Sequence, residues 1–173
     1  MMRCMVLLIL TLTVMAAAWA AEVTRLDQFT YADDTALHAV WSPMFPEAPL
    51  SLWVGQAPGG GNAMKFACPF TRGVQRGSGD RKGSLNLLRA GAIAFDFYVD
   101  DPAPIAYCSI YFHSGDGWYG HAFPFKKGWQ HVVLSKGSFN IEEKPAGWDQ
   151  VDTVRISAWN GKAQDTFCAI ANL

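Results

Sequence analysis

Tyr107, Tyr111 and His113 lie on one side of an alternating stretch whose other side is Ala106, Cys108, Ile110 and Phe112. An extended chain turns successive side chains to opposite faces, so the two phenols and the imidazole share a face. Asp96 and Tyr98 share a face in an earlier stretch, and Arg155 and Trp159 do so in a later one. Trp118 and Tyr119 follow the glycine-rich turn Ser114-Gly115-Asp116-Gly117, where a loop would hold both rings exposed. A solvated strand face usually carries Lys, Glu and Thr. These faces instead mix aromatic rings with groups that grip an alcohol. A pyranose asks for that mixture, because its C–H patch lies on a ring while its hydroxyls need polar partners. The candidate carbohydrate contacts are Trp118, Tyr119 and Trp159 first, then Tyr107, Tyr111, His113 and Arg155. Each ring taken alone could equally be a core side chain with its polar tip at an edge. Only a shared sheet makes the set a site.

Other chemistries find little support. Gly115-x-Gly117-x-x-Gly120 has the spacing of a dinucleotide loop but sits between two extended segments. No helix N-terminus follows to receive a pyrophosphate. Gly59-Gly60-Gly61 lacks the Gly-Lys-Ser/Thr ending of a phosphate loop and reads as a turn. Glycoside hydrolysis needs two facing carboxyl groups. Past the N-terminal 20 residues, Glu occurs only at Glu22, Glu47, Glu142 and Glu143, none inside a clear strand, and Asp96 is the one acid well inside a strong strand. There is no Gly-x-Ser-x-Gly elbow. His38, His113, His121 and His131 show no metal-ligand spacing. A formal net charge of −1 gives no basic field for a nucleic acid.

The elements that must position these residues are short strands separated by turns. Alternation is strongest over 92–99 and 105–113, and 118–125 should return as the partner of the latter in a hairpin. Further strands are expected at 24–31, 50–55, 63–68, 129–135, 154–159 and 166–172, with a weak one at 85–88. No window holds a 3.6-residue apolar period, and 36–41 makes one helical turn at most. Eight to ten strands at this spacing imply an all-β fold, an antiparallel β-sandwich or barrel. Trp129 and Trp148 are expected in the core or at strand junctions. Residues 1–20 combine Arg3, an apolar run and Ala18-Trp19-Ala20, the pattern of a secretory signal peptide. The expected organisation is this leader followed by a single domain, 21–173, secreted or periplasmic. Cys68, Cys108 and Cys168 then allow one disulfide with a spare thiol, or three small buried thiols.

The stretches His113-Ser114-Gly115-Asp116-Gly117-Trp118-Tyr119, Gly128-Trp129-Gln130-His131-Val132-Val133-Leu134, Ala146-Gly147-Trp148-Asp149-Gln150-Val151-Asp152 and Val154-Arg155-Ile156-Ser157-Ala158-Trp159 resemble galactose-binding-like jelly rolls. Many of these are carbohydrate-binding modules of secreted bacterial polysaccharide-processing proteins. Leu26-Asp27-Gln28-Phe29 is similar to their first strand. The resemblance implies a jelly-roll fold and non-catalytic binding of a poly- or oligosaccharide. It also implies a structural calcium between the first and last strands, for which Asp27 and Asp165 are the candidate ligands. Ala171 stands where the family carries an acid. Two other roles are open: an accessory or docking domain serving a separate or missing catalytic domain, and a small jelly-roll glycoside hydrolase.

Overall fold

A computed structural model describes residues 23–173. The expected leader, 1–20, lies outside the described residues. Along the chain come a short helix α1 (Asp34–His38), then β1 (Trp41–Pro43), β2 (Leu50–Trp53), β3 (Ala63–Cys68), β4 (Arg76–Leu85), β5 (Ala92–Val99), β6 (Ile105–Phe123), β7 (Gly128–Ser135), β8 (Asn140–Pro145), β9 (Val151–Asn160) and β10 (Thr166–Ala171). The strands form two antiparallel sheets, ordered β1-β4-β9-β6-β8 and β2-β3-β10-β5-β7. The expected sandwich is what the described residues form. Among them no helix is long and apolar enough to cross a membrane.

Alternation explains the core. Ile93, Phe95, Phe97 and Val99 of β5 turn inward and meet Cys108, Ile110 and Phe112 of β6 and Val154, Ile156 and Ala158 of β9. Phe95 and Phe97 each pack edge-on against Phe123, with centroids 5.2 and 5.1 Å apart. Such T-shaped contacts place the positive ring edge on the negative face. Cys68, Cys108 and Cys168 are all free thiols, fully buried in this layer. They form no disulfide, and burial pushes the Cys168 thiol well above its ordinary range, helped by its hydrogen bonds to the other two.

Within β6 the chain doubles back. His113 and Trp118 have ring centroids 4.6 Å apart, and a Cβ on Gly120 would lie 2.7 Å from the Tyr111 ring. Nine residues of continuous strand would separate 111 from 120 by about 30 Å. The element is therefore a hairpin whose tip is Gly115-Asp116, with Gly115 at φ 61°. A two-residue turn with glycine first favours this geometry. The hairpin expected at this turn is thus present.

Three strands escaped the sequence reading, β1, β4 and β8. In β4, the inward positions are Gly77 and Gly79. A Cβ on Gly77 would sit 2.5 Å from Cys68 Sγ, and one on Gly79 2.8 Å from Met64 Cε. The opposite sheet lies so close that only glycine fits, so no apolar alternation marks the strand. Edge strand β8 is exposed along nearly its whole length and shows no alternation either. Conversely, 24–31 carries no strand pairing, and its backbone turns at Phe29, φ 55°. It is pinned by the Leu26 and Asp27 amides, which donate to the Leu173 carbonyl at 2.8 Å.

Candidate functional site

Register across β4, β9 and β6 builds one face from three rows. Arg76, Trp159 and Tyr107 stand side by side, as do Ser78, Ser157 and Ser109, and Asp80, Arg155 and Tyr111. These positions are opposite in pleat to the core residues, so the rows cover the outer surface of the sheet. The hairpin then adds Trp118, opposite Glu142 on β8. Arg76, Tyr111, Trp118, Glu142, Arg155 and Trp159 line a groove of about 190 Å³. Six of the seven expected contact residues therefore meet on one sheet.

Ring geometry follows from the rows. Tyr107 stacks on Trp159 at 5.2 Å with planes 19° apart. Trp118 stands edge-on to Tyr111 at 6.2 Å. Tyr107 is 39% exposed, and Trp118, Trp159 and Tyr111 are half-buried. The Trp159 indole N–H donates to Ser109 Oγ at 3.0 Å, which fixes the ring's tilt. Gly120 leaves room for the Tyr111 ring to lie across the hairpin.

Charges frame the rings. Arg155 grips Asp80 with two parallel bonds, Nε to Oδ1 at 2.8 Å and Nη2 to Oδ2 at 2.6 Å. This fork holds its guanidinium 4.7 Å over the Trp118 ring. The Arg76 guanidinium lies 4.3 Å over Trp159. Burial, and then the like charge of Arg155, lower its pKa. Burial, followed by the neighbouring Tyr111, raises that of Tyr107. His113 pairs with Asp152 at 2.7 Å along the rim. Beneath the rows, the hydroxyls of Ser78 and Ser157 are buried without a hydrogen-bond partner among the described residues.

Tyr119 is a correction. It is 8% exposed and stacks on Trp148 at 4.1 Å, inside the sandwich. Cross-strand partners in a hairpin share a face. His113 opposes Trp118 and points outward, so Phe112 opposes Tyr119 and both point inward. The pairing was available from the turn position, but the expectation that a loop holds both Trp118 and Tyr119 exposed hid it. Asp96 and Tyr98 do not join the site either. They lie on the outer face of the other sheet, where Asp96 bonds His131 and Asn172, and Tyr98 packs with Trp53, Trp129 and Phe167. Trp129 is thus a surface-cluster residue, while Trp148 caps the core beside Phe112 and Phe139. Arg76, Asp80 and Glu142 were missed because β4 and β8 were missed. Their one legible signal was Arg76, Ser78 and Asp80 alternating with Gly77 and Gly79.

The calcium ligands are a second correction. Asp27 lies beside Leu173 and Asp165 just before β10, so the whole last strand, about 25 Å, separates them. The Asp27 carboxylate is already committed to the Phe29 amide at 2.7 Å, the Tyr31 hydroxyl at 2.5 Å and the Trp41 indole at 2.8 Å, with Arg81 Nε 3.4 Å away. Asp165 accepts two bonds from Thr71. These residues do not fit a shared ion, and no cluster of three ligand side chains occurs among the described residues. A shallower hollow of about 470 Å³ runs along 25–31, lined by the same Asp27 and Arg81.

No family model and no curated protein matches the sequence. Solved structures do match the fold. One is a family 11 carbohydrate-binding module from Clostridium thermocellum in complex with a β-1,3-1,4-mixed-linked tetrasaccharide. Its TM-score is 0.62 at 12% identity, over 86% of this chain and 91% of that one. The chain has the sandwich fold of such modules. A second structure, the family 11 module of a cellulosomal cellulase of the same organism, gives 0.58 at 13% identity over 88% and 94%. An exo-β-agarase gives 0.60 at 10% identity over 78% of this chain and 23% of that much longer one. Likeness at these identities is one of fold, and it bears out the jelly-roll expectation.

Proposed function

We propose that this chain binds a poly- or oligosaccharide without transforming it, outside the cytoplasm. One observation carries the reading: adjacent strands set Trp159, Tyr111 and Trp118 in a groove whose remaining walls are Arg76, Arg155 and Glu142, with Tyr107 stacked on Trp159 beside it. Sugar rings would lie across the partly exposed aromatic rings of the groove, and the charged groups would read hydroxyls. The saccharide complex seen in a module of the same fold supports the reading. The leader-like residues 1–20 support export. A shallow groove of this size implies weak affinity.

Hydrolysis fits the groove less well. It needs two facing carboxyl groups, whereas Glu142 is the one acid in the lining and Asp80 is held by Arg155. An accessory role within a larger enzyme is compatible with binding, and the agarase of similar fold gives it a precedent in architecture.

The test is co-sedimentation with a panel of insoluble polysaccharides, with reducing ends assayed in the supernatant. Retention by at least one polymer, no release of reducing ends, and loss of retention in a folded Trp159→Ala variant are the expected results. No retention by any polymer overturns the reading.

A further inference from the structure

Arg76 lines the groove without an ion pair among the described residues. Arg155 is matched by Asp80, but Arg76 has no carboxylate within 4 Å among the described residues. Its one hydrogen-bond acceptor there is the Met44 thioether, with Nε donating to Sδ at 3.0 Å. A thioether is a weak acceptor, and a guanidinium carries five N–H donors in a fixed fork. Stacking on Trp159 holds that fork in place beside the groove. The adjoining row adds Ser78 and Ser157, at 1% and 0% exposure, with hydroxyls that have found no partner. Burial, and then the like charge of Arg155 one row further on, depress Arg76's proton affinity.

Two guanidinium groups thus line the groove where the rings would seat a sugar, above the buried hydroxyls of Ser78 and Ser157. Neutral hydroxyl groups would leave the half-buried charge of Arg76 uncompensated. A planar or tetrahedral oxyanion would take two parallel bonds from the fork. Resting on the carbohydrate reading, we propose that the groove selects an acidic polysaccharide, with Arg76 binding a carboxylate or sulfate on the sugar seated in the groove beside Trp159.

Two polymer pairs separate the oxyanions: a sulfated galactan beside agarose, and polygalacturonate beside its fully methyl-esterified form. Affinity electrophoresis compares the wild type with R76Q, R76K and R72Q; Arg72 is an exposed cation in the turn after β3. The expected result is binding to one acidic polymer at least about 10-fold tighter than to its neutral counterpart, the size of one charge-assisted bond. R76Q should abolish that preference, R76K should keep part of it, and R72Q should leave it intact. Thermal melts confirm that each variant is folded. Equal binding of acidic and neutral forms, unaffected by R76Q, overturns this proposal and leaves neutral-sugar binding standing. Equal weakening by R72Q and R76Q also overturns it, as non-specific attraction. If no member of either pair binds, and the wider panel also fails, the carbohydrate reading falls with it.

Discussion

The hairpin register makes Trp118 and Tyr119, adjacent in sequence, opposite in role, and truncating each separates the two. Tyr119 is 8% exposed and stacked on Trp148 at 4.1 Å. Burying about 200 Å² of an aromatic side chain at about 25 cal/mol per Å² gives an upper bound near 5 kcal/mol. Core aromatic-to-alanine changes cost about 3–5 kcal/mol, so Tyr119→Ala should lose about 4 kcal/mol. For a domain of this length that is a fall in Tm of roughly 8–16 °C. Trp118 is half-buried against Tyr111, His113 and Arg155 on the outer face. Trp118→Ala should cost about 1 kcal/mol, within the ordinary range for a surface-facing change, yet abolish polysaccharide retention. Tyr119→Phe keeps the stacked ring and should melt within a few degrees of wild type. Urea unfolding and thermal melts measure the first quantity, and co-sedimentation the second. The reasoning is refuted if Trp118→Ala destabilises as much as Tyr119→Ala. A one-residue slip exchanges the faces of every side chain on the arm, so that result would mean the tip is not at Gly115-Asp116.

Gly120→Ala places a methyl group 2.7 Å from the Tyr111 ring; the ring must swing away, and polysaccharide affinity should drop several-fold with little change in Tm. Asp27→Ala strips the acceptor from Tyr31, Trp41 and the Phe29 amide and leaves Arg81 unmatched, so urea unfolding should show a loss of about 3 kcal/mol or more. Calcium or a chelator should leave the wild-type Tm unchanged; a calcium-dependent rise would reinstate the ion. The Thr71 amide and hydroxyl hold the Asp165 carboxyl below its ordinary pKa. A depressed folded value stabilises above the unfolded pKa of about 3.9 and is lost as pH falls through the lowered value. Asp165→Asn should therefore melt slightly below wild type near neutrality, and the two curves should converge in acid. Cys68, Cys108 and Cys168 should resist a thiol reagent in the native state and react together once urea unfolds the domain.

What local order settles in this chain is the strand period. In β5 and the first arm of β6, large apolar residues alternate with polar ones, so a pleated chain has only one way to bury them. That alone yields the sandwich, the turn at 114–117 and the outward set Tyr107, Tyr111 and His113. Alternation fails where the partner sheet crowds the strand, as at Gly77 and Gly79, or where an edge is exposed along its length, as in β8. It also misleads at 24–31, where bonds to the Asp27 carboxylate, not a ladder, hold the segment. Strand order is a different kind of information. Placing β9 between β4 and β6 brings Arg76, Trp159 and Tyr107 into one row from segments 31 to 83 residues apart. No local pattern encodes that pairing, because it is decided by which apolar faces close over one another in the folded layers. The same closure sends Asp96 and Tyr98, equally suggestive in sequence, to the far side of the molecule, since β5 belongs to the other sheet.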